Sequence, residues 1–117
     1  MRPIVLTKAE AFGTRIIRVH KYLVTQCKEK THSSQLNRSG TAIAALIAEA
    51  EFAQSRADFV NKMQIALKEA NESKTWINML YNTGYFTPAM YKSLLDDLNP
   101  IIYMLIAIIR STKGNGL

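Results

Sequence analysis

The sequence predicts an all-α protein, an up-down-up-down antiparallel four-helix bundle, and three observations carry that expectation. Apolar residues return every three or four positions through four long stretches, which is the helical period. Short polar breaks separate these stretches, so consecutive helices fold back on one another. Helix-starting residues stand at the breaks, most plainly Ser55 with Asp58 and Thr87 with Pro88.

The first helix is expected over 7–30. Thr7 and Glu10 have the spacing of a capping box, and Phe12, Ile16, Val19, Leu23 and Cys27 form the apolar seam. Arg15, Arg18, Lys21 and Lys28 are expected together on the opposite, solvated side. Thr31-His32-Ser33-Ser34 reads as the first loop. The second helix, over 35–54, carries Leu36, Gly40, Ile43, Ile47 and Ala50 as its seam and is rich in small residues. Gly40 costs about 1 kcal/mol of helix propensity relative to Ala, which points to a closely approaching neighbour.

Ser55 caps the third helix, over 56–82, with Asp58 placed to bond the cap amide. Phe59, Met63, Ala66, Ala70, Ser73, Ile77 and Leu80 then alternate in spacings of four and three, and Asn82-Thr83-Gly84 offers a left-handed stop. Thr87 and Pro88 open the fourth helix, over 88–112. This helix has two apolar seams. Tyr91, Leu95, Leu98, Ile102, Leu105 and Ile109 form the first, and Leu94, Ile101, Met104 and Ile108 form the second. One seam suffices for a bundle, so Leu94, Ile101, Met104 and Ile108 are the candidate oligomer interface. Pro100 removes one helical amide and is expected to bend the helix. A single domain spans 1–117, with 1–6 and 113–117 as flexible termini.

At 117 residues, 48% hydrophobic and 21% charged, the chain suits one globular core. Three Pro and five Gly exclude collagen-like and Pro-rich structure. The apolar run near Met1 is too brief for a secretory leader, and the longest uninterrupted one, Ile101 to Ile109, is less than half of what spans a bilayer. The expected location is the cytoplasm. The formal net charge of +6 lies wholly in residues 1–38, which hold eight Lys and Arg against Glu10 and Glu29. Such a localised positive field attracts phosphate backbones or an acidic protein surface.

Chemistry-bearing arrangements are sparse. Cys27 is the single cysteine and lies on an apolar helix side. With two histidines it makes no zinc-ligand spacing, and neither His20 nor His32 completes the Glu-x-x-His pairs of dimetal bundles. Glu49 and Glu72 read as partners for Arg38, Lys68 or a helix amide. Ser33, Ser34 and His32 share a loop without a recognisable acid to orient the ring. Phosphate-binding glycine loops are missing, and no cofactor, metal or catalytic residue is expected. Trp76, Tyr81, Tyr85 and Phe86 read as an aromatic plug at one bundle end, with a peptide- or base-stacking patch as the alternative. The remaining candidate site is a nucleic-acid-binding stripe of Lys8, Arg15, Arg18, Lys21 and Lys28.

The segments Gln35–Ala50, Gln54–Phe59 and Ile65–Glu72, with Thr83-Gly84-Tyr85, resemble a family of small bacterial four-helix bundles. That family includes proteins encoded by intervening sequences in large-subunit ribosomal RNA genes. It is similar to the accessory variability proteins of diversity-generating retroelements. The resemblance implies a pentameric ring of up-down bundles and, from the retroelement branch, binding of nucleic acid and a reverse transcriptase. By motif position it places Arg38, Glu49, Asp58, Asn71 and Glu72 at the family's polar positions, while Leu46 and Ala44 replace its usual Asn and its usual Gly or Pro.

Two functions are therefore expected in competition. The first is a non-enzymatic, oligomeric accessory or scaffold protein that binds nucleic acid and a reverse transcriptase. The second is a structural protein-interaction bundle with no nucleic-acid role.

Overall fold

The structure, a computed structural model, describes residues 2–114. They form α1 (Ile4–Cys27), α2 (Thr31–Ala50), α3 (Arg56–Asn82) and α4 (Pro88–Gly114). At about 1.5 Å per residue a 27-residue helix is roughly 40 Å long. The extents of 48 × 24 × 22 Å therefore place the helices along one axis. Contact is most extensive between α2 and α3 and least between α1 and α4, which closes a four-helix ring around one core.

The first two boundaries differ from the sequence expectation. Pro3 precedes α1, and Thr7 turns its hydroxyl back toward the Pro3 carbonyl while Glu10 pairs with Arg2. The Thr7–Glu10 capping box does not form. Val5 and Leu6 are buried in the core, and that burial extends the helix past the local cap signal. Residues 4–6, expected in a flexible terminus, are thus its first turn. The expected flexible tail ends within α4 at 113 and 114, and 115–117, like Met1, lie outside the described residues.

The chain leaves α1 at Lys28, which has φ 56°, and the amides of Lys28 and Glu29 both return to the Leu23 carbonyl. Thr31–Ser34 is the first turn of α2 instead of a loop. The hydroxyls of Ser33 and Ser34 donate to the carbonyls of Glu29 and Lys30, each at 2.6 Å, inside the helical register. Small polar residues look alike in both settings, and a lysine at the left-handed position removed the usual glycine signal.

α2 ends at Ala50 and not at the expected 54, the amides of Phe52 and Ala53 turning back to the Glu49 and Ala50 carbonyls, while the starts of α3 and α4 match their caps. Ser55 Oγ accepts from the Asp58 amide at 3.0 Å. Asp58 returns a bond to the Gln54 amide, one residue earlier than the expected cap amide. Gly84, at φ +90°, supplies the left-handed turn after α3, and Thr87 Oγ1 accepts from the Met90 amide at 3.1 Å. Gly40 does sit at a close approach. A Cβ there would stand 3.0–3.3 Å from the Ile16 side chain of α1.

Candidate nucleic-acid and assembly surfaces

α1 carries the predicted cations on two different sides. From the centre of its apolar seam, Lys8 and Arg15 lie only about a quarter turn away at 100° per residue, whereas Arg18, Lys21 and Lys28 point further outward. The structure shows the consequence. Arg15 donates to Asp97 of α4 at 2.7 Å and to the Ser93 carbonyl at 3.2 Å, so it clamps two helices together. Lys8 lines a cleft with Phe12, Asp96, Asp97 and Pro100. Arg18, Lys21 and Lys28 are exposed, and Lys28 Nζ reaches only the Thr25 carbonyl. Among the described residues, Lys8, Arg18, Lys21 and Lys28 make no ion pair. The structure therefore leaves Arg18, Lys21 and Lys28 together on the outward side and engages Arg15 with α4, in a groove that Arg15 and Arg18 both line.

The candidate interface on α4 also divides. Leu94 and Ile101 are fully buried within the chain, which corrects their assignment to an unpartnered seam. α4 is apolar over a wide arc because it covers the core between α3 and α1, and one helix face cannot fill both contacts. Met104 and Ile108 are half-buried. They line an apolar groove of ≈ 340 Å³ with Pro3, Ile4, Val5 and Ala107. Ile4 is 68% exposed at its rim. Phe52, at the same end of the bundle in the α2–α3 turn, is 88% exposed.

The family-motif positions serve the α2–α3 contact. Arg38 pairs with Glu72 and, at 3.2 Å, with the buried Glu69. Glu72 also accepts from Trp76 Nε1 at 3.3 Å. Glu49 lies 3.5 Å from Lys62, and Asp58 is the cap partner described above. Asn71 is exposed, its carbonyl accepting from Thr75. Arg38, Glu72 and Glu49 tie α2 to α3, Asp58 caps α3, and the five do not converge on a ligand-sized space.

A polar group at the α1–α2 turn was not expected. Glu29, almost fully buried, accepts from the backbone amides of His32 and Ser33 and contacts His32 Nδ1 at 2.8 Å. It is thus the acid that orients the His32 ring. Burial pushes its carboxyl up, but the Ser33 amide, the His32 ring and the His32 amide together hold it below its ordinary value. Ser33 is buried and gives its proton to the Glu29 carbonyl, so His20 Nδ1, 2.9 Å away, supplies the donor between them. A buried hydroxyl with its proton committed is no nucleophile. The sequence's one hint of this group is an acidic residue three positions before a histidine.

The aromatic cluster separates as well. Phe86 is buried and Tyr81 stacks on Tyr91 at 4.0 Å, with Tyr91 donating to Asn78 at 2.6 Å. Trp76 stays apart, facing His32. Cys27 is half-buried against the core. Among the described residues, no three His, Cys, Asp or Glu side chains gather as a metal site, and no helix is long and apolar enough to cross a membrane.

These geometries can be set beside known proteins. No curated protein matches the chain. A crystal structure from Bacteroides thetaiotaomicron, of a protein with unknown function from the S23 ribosomal protein family, is similar to it with 48% identity. The match covers 92% of this chain and 99% of that one, with a TM-score of 0.90. Neither this likeness nor the family match carries the retroelement resemblance. The family model for the 23S rRNA-intervening sequence protein matches residues 2–107, and with a match over most of its length this chain belongs to that family.

Proposed function

We propose that the protein is a non-enzymatic, oligomeric scaffold that binds nucleic acid through phosphate contacts. The observation that supports this reading is the set of α1 cations without a carboxylate partner among the described residues, Lys8, Arg18, Lys21 and Lys28. Phosphate contacts are largely indifferent to base sequence and need no reading motif. The apolar groove of Met104 and Ile108, with Ile4 at its rim, is the surface for a second copy of the chain, since apolar area costs about 25 cal/mol per Å² when left in water. Five copies is the number the family resemblance implies. A ring would repeat the basic face and multiply weak contacts. No residue in this structure argues for a reverse transcriptase, and the partners are nucleic acid and further copies of the chain.

The test compares the parent with a Lys8→Ala, Arg18→Ala, Lys21→Ala variant, which leaves the Arg15–Asp97 clamp in place. Fluorescence anisotropy over a salt series, with random duplex DNA and structured RNA, should show weak binding by the parent. In the variant, the slope of log affinity against log salt should fall by about 0.7–0.9 for each phosphate that the protein no longer neutralises. Light scattering should give several chain masses for both. No parent binding at low salt, or equal binding by a correctly assembled variant, would leave the protein-interaction bundle as the better reading.

A further inference from the structure

At the end of the bundle where α1 turns into α2, the first turn of α2 faces the last turns of α3 across a small cleft. His32 stands on one side, and Trp76, Met79, Leu80 and Thr83 form the rest of the lining. Its volume of ≈ 160 Å³ is well below the roughly 300–1,000 Å³ of sites that enclose a drug-sized ligand, so it suits one planar ring. The ring centroids of His32 and Trp76 are 6.1 Å apart and tilted by 34°, within the range of an aromatic pair, so a flat group reaches the indole beside the imidazole and not between the two rings.

Both rings are held by their polar edges, Trp76 half-buried against the core and His32 more than half exposed. Trp76 Nε1 donates to Glu72, and Glu72 is in turn held by Arg38. His32 Nδ1 is held by Glu29, whose other oxygen accepts two backbone amides. His32 Nε2 is therefore left to meet a hydrogen-bonding edge, on a side chain 58% exposed. Such fixed rings lose little freedom on binding. The two nearby carboxylates are each compensated, Glu72 by Arg38 and Glu29 by His32 and the amides. Lys28 and Lys30, exposed and without an ion pair among the described residues, flank Glu29 in the turn that leads to His32.

A stacking face, a fixed ring nitrogen and two lysines in the adjoining turn together fit a flat polar ring joined to a phosphate. We infer that this cleft takes one unpaired base of a single-stranded nucleic acid, stacked on Trp76 with its edge at His32 Nε2 and its backbone on Lys28 and Lys30. An aromatic side chain of a protein partner would use the stacking face but neither the free nitrogen nor the lysines. The inference rests on the nucleic-acid reading above and adds to it a base-stacking site between α2 and α3, which shares only Lys28 with the α1 stripe, with a preference for single strands.

Trp76 is the chain's only tryptophan, so its emission reports on this cleft alone. The intact protein is titrated with a twelve-nucleotide oligouridine and with an abasic strand of the same length. Anisotropy of the labelled strand measures binding and Trp76 fluorescence measures stacking. Oligouridine should quench Trp76 and bind roughly ten-fold more tightly than the abasic strand, the scale of one stacked base. His32→Ala should reduce that preference while leaving duplex binding unchanged, and Trp76→Leu should abolish it. Equal affinity for the two strands without quenching, beside measurable duplex binding, would overturn the cleft and leave the phosphate-binding proposal standing. Quenching by an aromatic peptide and none by oligouridine would also overturn it. Binding of no nucleic acid at low salt would overturn both.

Discussion

The α2–α3 seam and the α1–α4 seam use the same kind of helix and end in opposite states. Between α2 and α3 the buried residues at mid-seam are small, and the long charged pairs, such as Arg38 with Glu72, cross beside them. Ser39 and Ser73 hydrogen-bond across the seam at 2.8 Å, with Ala66 and Ala70 beside them, all but sealed from water. Between α1 and α4 the flanking side chains are long. Arg15 crosses to Asp97, Tyr22 and Met90 border one groove with Val19, and Met104 and Ile108 border another. Small side chains let two backbones close and bury their polar contacts, whereas large ones hold helices apart and leave grooves. The closed seam accounts for stability. The open one keeps grooves that a second copy of the chain can enter, whereas the α2–α3 seam opens only at its end, in the cleft beside His32 and Trp76.

This contrast predicts effects that decline with exposure. Ser73→Leu should be the most damaging change, because it overpacks the closed seam and removes a buried partner from Ser39. The expected loss is about 2–4 kcal/mol in urea denaturation. Ala11→Leu, which adds a similar volume beside the α1–α4 cleft, should change stability by less than about 0.5 kcal/mol. Equal effects at the two sites would break the comparison.

Glu29→Gln comes next, with an expected loss of about 1–2 kcal/mol near neutral pH, since charged hydrogen bonds to two amides and a ring are weakened. Its pH signature is specific. The folded carboxyl lies below the ordinary value of 4.5. Its contribution is therefore complete above that value and disappears as pH falls through the lower folded one. The parent should lose stability in that acid window, and the variant should show a flatter acid limb when urea midpoints are followed by circular dichroism.

Much of the fold was legible because its signals were local and agreed with packing. The Ser55–Asp58 cap, the Thr87 cap and the apolar period of α3 each occur where residue type alone suggests. The misread boundary at 31–34 shows the limit, since serine and threonine bond their own backbone both in loops and in helical turns. The site was less legible. Charge on α1 could be counted, but assigning Arg15 to the basic stripe missed Asp97, which is remote in sequence and adjacent only after folding. Leu94 and Ile101 were apolar enough to suggest a partner, and the partner proved to be the chain's own core. Position relative to a neighbouring helix, which periodicity does not encode, decided each of these cases.

Arg15 offers the smallest effect and the finest test of the open seam. Its guanidinium spans α1 and α4 through Asp97 and the Ser93 carbonyl, but both charged side chains are substantially exposed, so water competes with the pair. Arg15→Ala should cost only about 0.2–1 kcal/mol, the range of exposed ion pairs. The cost should shrink with salt as the screening length falls from about 10 Å at 0.1 M to 3 Å at 1 M. A double-mutant cycle with Asp97→Asn measures the coupling directly. The same pair separates clamp from binding residue. If Asp97 keeps Arg15 from the nucleic acid, Asp97→Asn should tighten duplex binding in anisotropy and steepen its salt slope, while Arg15→Ala in the otherwise unchanged protein leaves both nearly as they were. A large loss of binding from Arg15→Ala alone would return Arg15 to the basic stripe and show that α4 holds it too weakly to matter.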